Sequence, residues 1–163
     1  CAECHATDLK RGWDSALGGY ETTAHRFDVG CQACHGPGSA HAEEPEGAAM
    51  PGMQAEGQVE TCARCHARRT NIHQEYVHGR SFMDTHWPSL LDEQLYYPDG
   101  QIYEEVYVYG SFLQSKMYMA GVSCRDCHEP HSAPPRAPGN ATCVACQSPG
   151  GGGAGPHGDV SGL

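Results

Sequence analysis

Every cysteine in the chain belongs to a C-x-x-C pair: Cys1/Cys4, Cys31/Cys34, Cys62/Cys65, Cys124/Cys127 and Cys143/Cys146. Four of the five pairs run directly into histidine, as CAECH (1–5), CQACH (31–35), CARCH (62–66) and CRDCH (124–128). Two thiols held two residues apart can add to the two vinyl groups on one edge of a porphyrin. The adjacent imidazole, of His5, His35, His66 or His128, then lies beneath the ring as the proximal iron ligand. C-x-x-C knuckles also build zinc sites, but zinc does not require histidine immediately after the second cysteine. Redox dithiols use the same spacing but seldom recur five times in one small chain. Covalent haem c is therefore the expected cofactor.

The fifth pair, CVACQ (143–147), carries Gln147 where histidine is expected. An amide is a poor iron ligand. Three explanations are open: a degenerate site without haem, a haem ligated from elsewhere, or a C-terminal segment that is not the natural continuation. Four haems are expected, and five if Cys143 and Cys146 hold one.

Each iron has a second axial position. Setting aside the motif histidines leaves His25, His41, His73, His78, His86, His131 and His157. Seven candidates for four positions make bis-histidine ligation throughout feasible. Methionine is the other common sixth ligand, but Met117 and Met119 fall in a stretch of helical composition, where methionine more often packs. His131 follows His128 by three residues and His41 follows His35 by six. Neither segment is long enough to travel round the edge of its own ring, so each is expected to ligate a neighbouring haem. Two of His25, His73, His78 and His86 would complete the set. His157 sits in the Gly-rich tail and is set aside.

The elements that must position these groups are sparse. Leu, Ile, Val and Phe make up only 20 of 163 residues, and the net charge is −10. So little apolar surface would ordinarily leave a chain disordered. Eleven His, eight Tyr and varied sequence up to about residue 146 argue instead that cofactors supply the core. The expected fold is mostly irregular with short α-helices, a multihaem cytochrome c wrapped around a closely packed haem array with little β. Residues 1–146 form the haem-bearing domain and 147–163 a flexible tail.

Within the domain, residues 42–60 read as an acidic surface loop and Thr61 as the N-cap of a helix carrying Cys62. Asp99–Gly100 reads as a turn, Ile102–Tyr109 as a short strand and Ser111–Ala120 as a helix. Pro130, Pro134, Pro135 and Pro138 oppose regular structure after the fourth motif. No run is apolar enough to span a membrane, and no nucleic-acid partner is expected. The chain opens directly on a cysteine motif, as a processed or truncated start would.

CQACHGPGSAH (31–41) resembles a haem segment of the multihaem cytochromes related to pentahaem nitrite reductase. The tetrahaem cytochrome linked to hydroxylamine oxidoreductase belongs to the same broad group. DGQIYEEVYVYGSFLQSKMYMAGVSCRDCHEPHS (99–132) is similar to a segment of large bacterial multihaem cytochromes associated with tetratricopeptide repeats. The resemblance implies a periplasmic or extracellular electron carrier whose haems are mostly bis-histidine, with His41 and His131 as distal ligands. That family usually has a further haem-bearing region before the segment matching Cys1 and keeps histidine after the last pair, so the resemblance implies a partial chain. The nitrite reductases carry C-x-x-C-K at the catalytic haem; no pair here is followed by lysine, so that activity does not carry over.

The leading expectation is electron transfer between redox partner proteins, with no catalytic residue. An acidic surface favours low potentials and basic partners. The alternatives are reduction of a small nitrogen or sulfur oxyanion at an open haem, with Arg64, Arg68 and Arg69 supplying positive charge, or a homo-oligomer or conducting filament. For the arginines, a solvated helix face or pairing with haem propionates is the preferred reading. Haem is attached outside the cytoplasm, so the location is expected to be periplasmic or extracellular.

Overall fold

The C-x-x-C-H motifs of this chain coincide with turns of helix. A computed structural model describes residues 1–50, 57–73 and 77–145, and each described motif winds into about one turn of helix. In the first, the amides of Cys4 and His5 both donate to the Cys1 carbonyl, at 3.1 and 2.9 Å. The second is α1 (Cys31–His35). The third ends the longest helix, α3 (Gln58–His66). The fourth is α6 (Cys124–Cys127), opened by a capping box between Ser123 and Asp126. Cys143 lies on α7 (Ala141–Val144), while Cys146 and Gln147 fall outside the described residues.

The chain forms two compact units, Cys1–Gly110 and Ser111–Leu163. In the first, an antiparallel ribbon carries the chain from motif one to motif two. Thr7 bridges Arg26, Lys10 bridges Thr23, and β1 (Trp13–Asp14) pairs with β2 (Gly19–Tyr20) at its tip. Helix α2 (Ser39–Glu43) follows motif two. After α3, β3 (Arg69–Asn71) pairs antiparallel with β4 (His86–Pro88), and Asn71 stands opposite His86.

The protein core of this unit is small. Phe82 is completely buried, and Val59, Ala63, Ala67, Tyr96, Val106 and Tyr109 are buried with it. Phe82 opens a 3₁₀ turn (Phe82–Asp84) capped by the Ser81 hydroxyl. The turn is tied to α3 because the Glu60 carboxylate accepts the Phe82 amide at 2.6 Å. Burying one such ring is worth roughly 1.5–3 kcal/mol. Large apolar side chains elsewhere remain exposed, among them Trp13 at 58 %, Phe27 at 75 % and Trp87 at 62 %.

Several local expectations need correction. Helix α3 starts at Gln58, and Thr61 is buried inside it, with its hydroxyl donating to the Gly57 carbonyl at 3.2 Å. Gly57 takes the cap position because burial of Gln58 and Val59 extends the helix backwards. Ile102–Tyr109 makes no strand. It forms a single bridge, Tyr96 to Ile102, and Tyr107 has φ +62°, which no continuous strand tolerates. The expected helix over 111–120 is two, α4 (Tyr109–Leu113) and α5 (Lys116–Met119). Ser115 divides them: its extended backbone ends one, and its hydroxyl caps the Tyr118 amide of the next. Part of the 42–60 loop is helical at its ends and part (51–56) lies outside the described residues.

The turn at Asp99–Gly100 forms as expected. The Tyr97 amide donates to the Gln101 carbonyl and Gly100 adopts φ +86°. The proline-rich stretch 129–138 contains no helix or strand. Among the described residues the architecture is short helices and irregular segments with two small two-stranded ribbons, the fold class anticipated from composition.

Candidate haem-binding site

The residues between the paired cysteines, which the haem chemistry leaves unspecified, hold the motifs together. Glu3 lies inside motif one. Its carboxylate pairs with Arg69 of β3 at 2.6 Å and with Arg11. Burial opposes ionisation of Glu3, but the bonds from the two guanidiniums outweigh it and hold the carboxyl below its usual range. Arg64, inside motif three, donates to the carbonyl of Ala33, inside motif two, at 2.8 Å. Arg69 in turn donates through Nε and Nη2 to the carbonyl of Arg64 at 2.8 and 2.6 Å.

Motifs one and three also touch directly. The Cys4 thiol lies 3.9 Å from the Cys65 carbonyl, and the Cys65 thiol 3.8 Å from the Cys4 carbonyl. In the second unit the same device recurs. Arg136 Nε donates to the carbonyl of Arg125, inside motif four, at 2.5 Å, and the Arg136 amide to that of Cys127 at 2.9 Å. Arginine-to-carbonyl clasps thus fix motifs two, three and four.

Arg64 and Arg69 are only partly exposed. The Arg69 side chain is 7 % exposed, and Arg68 alone of the three expected cations is an exposed residue, donating to the Glu105 carbonyl at 3.3 Å. Arg64 and Arg69 are not a solvated helix face, since their guanidiniums are engaged by Glu3 and by the carbonyls of Ala33 and Arg64. The three cations were legible in the sequence; their partners were not.

The residues present fit haem. A cavity of about 620 Å³ opens between motif one and the end of motif three, lined by Cys1, Cys4, Arg11, Tyr20, Arg69 and Tyr107. It joins both thiols of one motif to two tyrosines and to guanidiniums, with no histidine among its described lining residues. Among the described residues no cysteine is in a disulfide. Burial raises the Cys34 thiol, and burial with the neighbouring Cys4 pushes Cys65 up to about 11. A redox dithiol needs the opposite shift. Among the described residues no group of three or more His, Cys, Asp or Glu converges as a bare-metal site would require.

Of the motif histidines, His35 is half-buried and His5, His66 and His128 are exposed at the ends of their turns. His128 Nδ1 lies 3.3 Å from the Ala133 carbonyl. The distal candidates separate into three groups. His86 is buried, stacked on Phe82 with centroids 4.8 Å apart, and its Nδ1 lies 2.7 Å from the Thr85 hydroxyl. Burial, then Arg69 and Arg64, lower it to about 4, so the ring is neutral. The Thr85 hydroxyl also reaches the Phe82 carbonyl, at 3.5 Å, so one hydroxyl ties the imidazole to the turn that buries it.

His41, half-buried on α2, is oriented alike: its Nδ1 donates to the Ala48 carbonyl at 2.7 Å. His78 is half-buried beside motif two. Its ring packs on Gly36 so closely that a Cβ there would lie 2.9 Å from Cδ2. Burial, then Arg64, lower its pKa.

His25, His73 and His131 are exposed. The backbone amides of His25 and His73 donate to the carbonyls of Thr7 and Thr85, at 3.0 and 3.1 Å. His131 Nδ1 lies 3.3 Å from Glu129. Cys143 is exposed, and His157 lies outside the described residues. Sequence reasoning did not single out Glu3, Thr7 or Thr85, whose residue types carry no haem signal.

Comparison with known proteins agrees with this chemistry. Residues 25–71 match the family model described as doubled CXXCH motif, and residues 1–36 match that of cytochrome c554 and c-prime. No curated protein matches the chain. The fold is similar to a solved structure described as outer cell wall cytochrome OcwA, with TM-score 0.57 and 22 % identity. The match covers 79 % of this chain and 32 % of that one, so the chain spans about a third of the length of that relative.

Proposed function

We propose that this chain, a multihaem c-type cytochrome, conducts electrons through four covalently attached haems. They are held at Cys1/Cys4–His5, Cys31/Cys34–His35, Cys62/Cys65–His66 and Cys124/Cys127–His128. Attached haem supplies reversible one-electron chemistry at iron. The protein's part is to hold the groups in fixed mutual positions and to complete their coordination. The observation that carries this reading is the bracing of motifs one, two and three through their own intervening residues, Glu3, Ala33 and Arg64. Such preorganisation suits a conductor, whose sites must keep their spacing without moving.

His86 and His41 are the best-supported distal ligands, since each ring is at least half-buried with Nδ1 2.7 Å from an oxygen. His78, beside motif two, is the next. His131, and His25 or His73, remain the proposed source of any further ligand. The redox partners are proteins, and the net charge of −10 favours basic docking surfaces. The location is periplasmic or extracellular; among the described residues no helix is long and apolar enough to cross a membrane.

Low-temperature EPR of the oxidised protein, with spins quantified against total haem, tests the proposal. Low-spin signal matching four haems supports an electron carrier. A high-spin component near one haem equivalent would overturn it in favour of a reductase, to be assayed with nitrite and hydroxylamine.

A second reading, assembly into a homo-oligomer or filament, draws support from His25, whose exposed side chain sits on a backbone held by Thr7. A ligand donated across a subunit boundary needs such a position. Electron micrographs with only monodisperse particles would remove it.

A further inference from the structure

The Glu3–Arg69 pair stands closer to the haem-attachment sulfurs than bracing alone requires. Arg69 Nη2 lies 3.8 Å from Cys4 Sγ. The same guanidinium is 7 % exposed, and its remaining contacts are the Glu3 carboxylate and the Arg64 carbonyl. Arg11 reaches Glu3 from the other side, with a side chain 41 % exposed. Two cations therefore share one anion at the wall of the cavity that contains Cys1 and Cys4.

A fixed positive charge near a redox centre favours the form that has gained an electron. A fixed negative charge favours the form that has lost one. Both effects grow where water is excluded. We propose that Arg69 is a positioning residue that raises the reduction potential of the haem at Cys1/Cys4, with Glu3 as the counter-charge that limits the rise. A haem held by Cys1 and Cys4 would supply one-electron chemistry, with the electron coming from a redox partner and no bond made or broken in the protein. The pair sets how far that haem lies above the others, and therefore where an electron rests along the array. This rests on the electron-transfer reading above.

The test is a spectroelectrochemical titration of the haem-loaded protein at fixed pH, with EPR of each variant alongside. Arg69→Gln should lower the reduced-to-oxidised ratio of one haem about tenfold at the poise where that haem is half-reduced in the parent, a shift of about 59 mV for one electron. Arg69→Lys, which keeps the charge but not the fork, should recover most of it. Glu3→Gln should move the same component the opposite way.

An unchanged potential in Arg69→Gln, a Lys variant shifted as far as the Gln variant, or shifts of the same sign for Glu3→Gln and Arg69→Gln would each overturn the proposal. If Arg69→Gln fails to retain haem, Glu3→Gln decides by its sign alone: a rise supports the proposal, and a fall or no change ends it. EPR separates this outcome from failure of the carrier reading. A native high-spin haem would defeat the latter while leaving the sign test intact.

Discussion

The Thr7 hydroxyl accepts the amide of Gly30 at 2.9 Å and donates to the carbonyl of Asp28 at 2.8 Å. Thr7 stands two residues after the first motif's histidine, and Gly30 immediately precedes Cys31. One buried hydroxyl, 1 % exposed, thus clasps the exit of motif one to the entry of motif two. The ribbon between them supplies the reach, and Thr7 supplies the closure.

Thr7→Val keeps the shape and removes both bonds, leaving a part-buried amide and carbonyl without this partner. Such a loss costs about 1–3 kcal/mol. Urea denaturation of the haem-loaded protein should show that drop, and Thr7→Ser should recover most of it. Equal stability of Val and parent would mean the clasp contributes nothing.

Removal of His86 should expose an iron. His86→Ala is expected to add a high-spin EPR component close to one haem equivalent. Thr85→Val should keep that haem low-spin while shifting its g-values, because the hydroxyl orients the imidazole without ligating. An entirely low-spin His86→Ala spectrum would exclude His86 as a ligand.

Gly36 follows His35 with φ +72°, in the left-handed region, and the His78 ring fills the space a side chain would need. Gly36→Ala combines backbone strain with a contact too close for carbon, at a cost of about 1–3 kcal/mol. Thermal unfolding should fall accordingly. A change also in the EPR of one haem would place His78 at that iron.

Cys143 tests the haem count. Cys143→Ser should leave the intact mass equal to the parent's apart from the oxygen-for-sulfur exchange, and Cys124→Ser should disturb one covalent attachment. Loss of haem-derived mass in Cys143→Ser would raise the count to five.

What could be read from the sequence was local chemistry. A C-x-x-C-H motif declares itself within five residues, because thioether formation and proximal ligation demand that spacing and nothing beyond it. The low content of Leu, Ile, Val and Phe anticipated the sparse protein core, and Asp99–Gly100 announced its own turn. The start of α3, the break at Ser115 and the missing strand at 102–109 were misread because burial of Val59 and the positive φ of Tyr107 are set by packing, not by propensity.

The bracing was decided by tertiary structure alone. Glu3 and Arg69 are 66 residues apart, and Arg64 reaches Ala33 across 31. At the sequence level a solvated face or propionate pairing was the preferred reading of these arginines, since a guanidinium looks the same whether its partner is water, propionate or a distant carbonyl. Among the non-motif histidines the sequence singled out His41 and His131 by their spacing and left His25, His73, His78 and His86 equivalent. Only folding distinguishes His86, buried against Phe82 with Nδ1 on the Thr85 hydroxyl, and leaves His131 exposed, because an imidazole's burial and partners are fixed by its neighbours in space and not by its neighbours in sequence.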